Sequence, residues 1–116
     1  MDFSKIKLIV SDMDGTLLDS NNRVSDHFFK LFRKLQKENI HFAAASGRQF
    51  QSIVEKLDSI QDEITIISEN GGFGKFGKED LFVFKLPINQ IKIPIQLLRK
   101  LENPHIVLCG KKAAYV

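Results

Sequence analysis

The chain has a single cysteine, Cys109, so no internal disulfide can form, and this fits a reducing cytoplasm. It has no tryptophan and one tyrosine, which leaves its aromatic packing to ten phenylalanines. No apolar run comes near the roughly 18 residues that a membrane-crossing helix needs. The opening MDFSKIKLIV has an early acid and no small-residue cleavage site. Neither a membrane partner nor a secretion signal is therefore expected. Charge of one sign is scarce too: the formal net charge is +3 and it is spread along the chain, which speaks against a nucleic-acid partner. His27, His41 and His105 are too far apart to suggest a metal cluster. What remains, 43% apolar and 27% charged residues in a chain of 116, is the composition of one globular domain with no repeats.

Strand and helix periods alternate along the first half. IKLIVS (6–11) is short and mostly apolar, as a parallel strand buried on both faces would be. VSDHFFKLFRKLQKEN (24–39) reads as an amphipathic helix, with Phe28, Leu31, Phe32 and Leu35 along one stripe. Ser25 is its N-cap, Asp26 suits its positive end, Val24 can staple onto Phe29, and Asn39 ends it. Its Lys30, Arg33, Lys34 and Lys37 are expected to face solvent. IHFAAAS (40–46) is the second strand, GRQFQSIVEKL (47–57) the second helix and EITIIS (63–68) the third strand. This alternation predicts a parallel sheet with right-handed crossovers. The pattern then changes to a hairpin turning near residues 77–80. A helix over 88–103 follows, with Pro94 in its first turn or at a kink, and then two strands around a turn at 110–112. Cys109 falls in an apolar run and is expected to be buried.

The stretch IVSDMDGTLLD (9–19) poses the chemical question. Asp12 and Asp14 follow directly on the first strand, at the edge where parallel α/β sheets bind ligands. Two close carboxylates repel each other, and a hard divalent cation such as Mg²⁺ relieves that repulsion. Gly15 allows a tight turn and a close approach of backbone N–H groups to an anion, and Thr16 adds a hydroxyl. An Asp-rich turn can also merely cap an element, but the Gly-Thr-Leu-Leu that follows favours a site. Ser46 ends the second strand in AAASGR, where its hydroxyl and the N–H groups from Gly47 onward would face a phosphate. A bare N-cap serine is the alternative, weakened by the acids on the neighbouring strand. Arg48 would lie in the first turn of the second helix, opposed to the helix dipole, which suggests that it holds an anionic substrate group. Asn70 and Gly71 follow the third strand; they read equally well as a plain Asn-Gly turn or as a third contribution to the crevice.

Together these motifs resemble the haloacid dehalogenase-like phosphatases. DMDGTLL resembles their first motif, ASGR their second, and ISENGG the Cof-type sugar-phosphate phosphatases that carry an α/β cap. The resemblance implies an α/β fold, a Rossmann-like parallel sheet core present in part, with the beginning of an inserted α/β cap domain. Residues 1–84 would belong to the core and 85–116 to the cap. It implies a phosphatase acting on a small phosphorylated metabolite, with Asp12 as nucleophile forming an aspartyl-phosphate and Asp14 as general acid and base. Mg²⁺ would bind the Asp12 carboxylate and the Asp14 backbone carbonyl, while Thr16, Ser46, Gly47, Arg48 and Asn70 would bind phosphate or substrate. The family's lysine and GDxxND-like motifs do not occur in these 116 residues. The chain is therefore expected to be an N-terminal portion with little activity alone, its first strand left at an open sheet edge. A phosphate- or Mg²⁺-binding module, or an Asp-phosphorylated signalling domain without turnover, is the competing reading. A truncated product with only a structural role is a third.

Overall fold

The computed structural model describes residues 3–116. They form two compact units, one ending at Val83 and one running from Phe84 to Val116. The first unit runs β1 (Leu8–Asp12), α1 (Asp26–Lys37), β2 (His41–Ala45), α2 (Phe50–Leu57), β3 (Thr65–Ser68), β4 (Phe73–Phe76) and β5 (Glu79–Val83). The strands form one five-stranded sheet in the order β1-β2-β3-β4-β5. The β1-β2 and β2-β3 pairs are parallel, as the alternation predicts, whereas the β4-β5 hairpin docks antiparallel onto β3 and makes the sheet mixed.

Period-two side-chain alternation decides which strand residues meet the helices. Phe42, Ala44 and Ile66 point into a core with Met13, Leu18, Phe32, Ile53, Leu57, Ile60 and Ile64, and the half-buried Ile9 packs against it. The phenylalanines do the aromatic work: Phe28 lies 5.0 Å from Phe42 between ring centroids, and Phe32 meets Phe42 edge-on. The other face of β1 departs from the reading of 6–11 as a strand buried on both sides. Leu8 and Val10 are 53% and 55% exposed, and β1 is a sheet edge.

Helix α1 starts where its cap dictates, with the Phe28 N–H donating to Ser25 Oγ. It ends in a Schellman turn, with Asn39 at φ 54°, the Ile40 N–H donating to the Leu35 carbonyl and the Asn39 N–H to that of Gln36. Its buried stripe is rotated from the expected one. Leu31 is exposed, and Phe29 is half-buried against the core instead. Helix α2 begins at Phe50 rather than Gly47, so Ser46, Gly47 and Arg48 form a loop.

The second unit holds α3 (Ile88–Leu98) and the two-residue strands β6 (Leu108–Cys109) and β7 (Ala114–Tyr115), paired antiparallel. Pro94 sits in the interior of α3, past its first turn. Cys109 is exposed, not buried, because no residue of this unit is buried. Among the described residues, no helix is long and apolar enough to cross a membrane.

Candidate active site

The parallel register sets Asp12 beside Ala45, so the first acid stands at the carboxyl end of β1 next to the end of β2. Its Oδ1 accepts the Met13 N–H at 2.7 Å, which fixes the plane of the carboxylate. The chain then coils through residues 13–17. Gly15 takes φ 73°, a left-handed conformation open to glycine at no steric cost, and the Leu18 N–H closes the turn onto the Met13 carbonyl. Met13 and Leu18 are buried and pin the turn, while Asp12, Asp14 and Thr16 stay exposed. A short flap follows, bridged at Leu18 and Val24. At its tip Asp19 Oδ1 accepts the N–H groups of Asn21 and Arg23, and Asn22 adopts φ 60°.

The loops after β2 and β3 are stitched together. Ser46 donates its N–H to the Ile67 carbonyl and accepts the Asn70 N–H, and the Arg48 carbonyl accepts the Glu69 N–H. Ser46 is buried, and its Oγ accepts the Arg48 N–H at 3.1 Å. A Cβ on Gly47 would lie 2.7 Å from Asn70 Oδ1, so that position needs glycine for the Asn70 side chain to lie against it. Asn70 itself sits at φ 53°.

Arg48 does not lie in a helix turn but in the loop just before α2. Its guanidinium forms a fork on Asp14, Nε to Oδ2 at 2.8 Å and Nη2 to Oδ1 at 2.6 Å. Nη2 also donates to Asn22 Oδ1 at 2.9 Å and Nη1 to Ser52 Oγ at 3.3 Å. The hydrogen bonds from Arg48 hold the Asp14 carboxyl below its usual range; desolvation opposes this weakly, and the Arg48 charge adds to it. The structure thus joins Asp14, Ser46, Gly47, Arg48 and Asn70 through direct contacts. It sets Asp12 on the adjoining strand end and Thr16 on the exposed side of the turn. Asn22 and Ser52 are additions. Only their place could have flagged them, Ser52 four residues after Arg48 and Asn22 in a turn-forming SNN.

Among the described residues no three His, Cys, Asp or Glu side chains converge as a metal cluster. The two donors that the family resemblance implies, the Asp12 carboxylate and the Asp14 backbone carbonyl, are hard oxygens. Their chemistry suits Mg²⁺, which takes few protein ligands and keeps waters or phosphate oxygens. His41 is a structural residue, its Nε2 2.8 Å from Thr65 Oγ1 and its ring edge-on to Phe76. A cavity of about 380 Å³ in the second unit, lined by Ile95, Arg99, His105 and Tyr115 among others, contains none of these site residues.

Parallel strands whose carboxyl ends carry polar loops that contact one another define a Rossmann-like α/β protein, present here in part. A family model of haloacid dehalogenase-like hydrolases matches residues 9–116, and the chain belongs to that family, in its Cof-type branch. It is 32% identical over 111 residues to the 5-amino-6-(5-phospho-D-ribitylamino)uracil phosphatase YbjI of Escherichia coli, covering 95% of this chain and 41% of that one. It is 33% identical over 66 residues to the phosphatase of the same name, YcsE, of Bacillus subtilis, covering 57% of this chain and 26% of that one. A crystal structure of a Streptococcus mutans protein superposes with a TM-score of 0.85 at 26% identity, over 96% of this chain and 42% of that one. The chain therefore spans about two fifths or less of the length of these relatives.

Proposed function

We propose that the polypeptide carrying this chain is a Mg²⁺-dependent phosphatase of small phosphorylated metabolites that works through an aspartyl-phosphate at Asp12. The observation that carries this reading is the unequal treatment of two acids one residue apart. Asp12 is held by a backbone N–H, and Asp14 is locked in an arginine fork. Carboxylates given different surroundings are fitted to different tasks. An Asp12 carboxylate oxygen attacks phosphorus and the bond to the leaving oxygen breaks, with Asp14 supplying the proton to that oxygen. A water then attacks the phosphoryl group, its proton passes to Asp14, and Asp12 and phosphate are released. The arginine fork favours the ionised Asp14 needed for the second step. An arriving phosphate dianion favours the protonated form needed for the first.

Thr16, Ser46, Gly47 and Asn70 are assigned to the phosphate oxygens by their hydroxyls, amides and close backbone approach. Mg²⁺, held by Asp12 and the Asp14 carbonyl, would neutralise charge on the transferring group. The activity of the two relatives, on a phosphorylated ribityl compound, supports a phosphorylated sugar or polyol as substrate class. Residues 85–116, which lie within the compact unit from Phe84 to Val116, are proposed as the start of the cap, and residues 1–84 as part of the core.

The test is turnover of p-nitrophenyl phosphate by the full-length natural polypeptide with Mg²⁺. Asp12→Asn is expected to lower kcat about 10⁴-fold and Asp14→Asn about 10²-fold or more, and chelation with EDTA should abolish turnover. Turnover that survives Asp12→Asn would overturn the reading. A stable beryllium fluoride adduct with no hydrolysis would favour a signalling module.

A further inference from the structure

Arg48 was expected to hold an anionic group of the substrate, yet most of its donors are already used. A guanidinium has five N–H bonds and accepts none. Two go to Asp14, one to Asn22 and one to Ser52, so four of the five are engaged. One Nη1 N–H is left over, so an external anion could take a second N–H only at the expense of Ser52, Asn22 or Asp14. The Nη2 group is shared between Asp14 Oδ1 at 2.6 Å and Asn22 Oδ1 at 2.9 Å, so the flap tip and the acid grip the same nitrogen. The Asn22 amide must present its oxygen there, because its NH₂ would face an N–H group.

The tip has hydrogen bonds of its own that do not involve Arg48. Asp19 ties the N–H groups of Asn21 and Arg23, the Asn22 N–H donates to the Asp19 carbonyl at 3.0 Å, and the Asp19 N–H donates to the Arg23 carbonyl at 2.9 Å. Behind the tip, Leu18 is buried and Val24 packs on the core. Asn22 is thus an acceptor offered by a turn with hydrogen bonds of its own, and the Arg48 guanidinium lies between it and Asp14.

We infer that Asn22 is a positioning residue: it holds the Arg48 guanidinium from the flap tip so that the fork aims the Asp14 carboxylate, and Arg48 serves Asp14 rather than a substrate anion. This rests on the phosphatase reading for its effect on turnover, but not for its effect on Arg48. Side chains at φ 60° are strained unless they are Gly, Asn or Asp, so Asn22→Gly removes the acceptor without adding strain and Asn22→Asp restores one.

Both variants are made in the full-length natural polypeptide. Nitrogen-15 NMR follows rotation about the Arg48 Nε–Cζ bond, and p-nitrophenyl phosphate kinetics follow kcat and KM. Asn22→Gly is expected to speed guanidinium rotation and to lower kcat about tenfold with KM changed less than about twofold, because only proton transfer loses its geometry. Asn22→Asp should restore slow rotation and most of kcat. Unchanged rotation in Asn22→Gly would overturn the inference. So would faster rotation with unchanged kcat, or a raised KM with kcat intact, the signature of a substrate ligand. If the unmodified protein shows no turnover, the phosphatase reading fails on its own, and the rotation measurement alone decides the grip of Asn22 on Arg48.

Discussion

Residues up to Val83 and residues from Phe84 onward draw on the same kinds of side chain and use them differently. In the first unit Phe32, Ile53, Leu57, Ile64 and Ile66 are almost wholly removed from water. In the second, Phe84, Leu86 and Ile88 are each more than 70% exposed, and Ile93, Leu97 and Tyr115 more than half. Both units formed the elements their local patterns call for. Only the first buries side chains between its sheet and its helices, and an apolar face lowers the free energy only when another layer covers it. The helix ends tell the same story. Helix α1 has a serine cap and a Schellman turn, whereas α3 has no side-chain cap and carries a proline in its interior.

The sharpest way to break this contrast is to truncate one apolar side chain in each unit. Phe32→Ala is expected to destabilise the first unit by about 3–5 kcal/mol in urea unfolding, while Leu97→Ala should change stability by less than about 0.5 kcal/mol. Equal losses would erase the distinction. A smaller effect separates the helix caps. Ser25→Ala should cost about 1 kcal/mol, and Pro87→Ala, at the start of α3 where no side chain caps, a few tenths, both read from unfolding curves.

The smallest effect lies on the surface. Arg33 donates to both Glu63 oxygens and to Gln36, and Gln36 also donates to Glu63. The Arg33 hydrogen bond, then that of Gln36, hold the Glu63 carboxyl below its usual range. Since the folded value is the lower one, the contribution is present above the ordinary glutamate range and is lost as pH falls through and below it. Glu63→Gln should therefore cost less than about 1 kcal/mol at neutral pH, and this difference should vanish in acid; a constant difference across pH would contradict the assigned cause.

Much of the site-bearing architecture was legible because local chemistry dictated it. Asp12 at a strand end, Ser25 as cap, Asn39 as terminator and the turn after Phe76 each follow from a short-range rule. What escaped depends on contacts distant in sequence. The hairpin was readable, but not that Phe73–Phe76 would pair antiparallel with Thr65–Ser68. The choice of Phe29 over Leu31 turns on how α1 rolls against β2. The start of α2 at Phe50 leaves the ASGR loop free to stitch onto the loop after β3, and nothing in the period of 47–57 marks that. The Asn22–Arg48–Asp14 chain spans positions 14 to 48, beyond the reach of any spacing rule.

The central claim is that Asp12 becomes covalently phosphorylated during turnover. Rapid acid quenching of the full-length natural polypeptide with p-nitrophenyl phosphate and Mg²⁺, followed by peptide mass spectrometry, tests it directly. The expected result is a phosphoryl group on Asp12 that appears transiently in the unmodified protein and is absent from Asp12→Asn. Release of p-nitrophenol with no phosphoryl group on Asp12 at any quench time, or with the label on Asp14 instead, would contradict it.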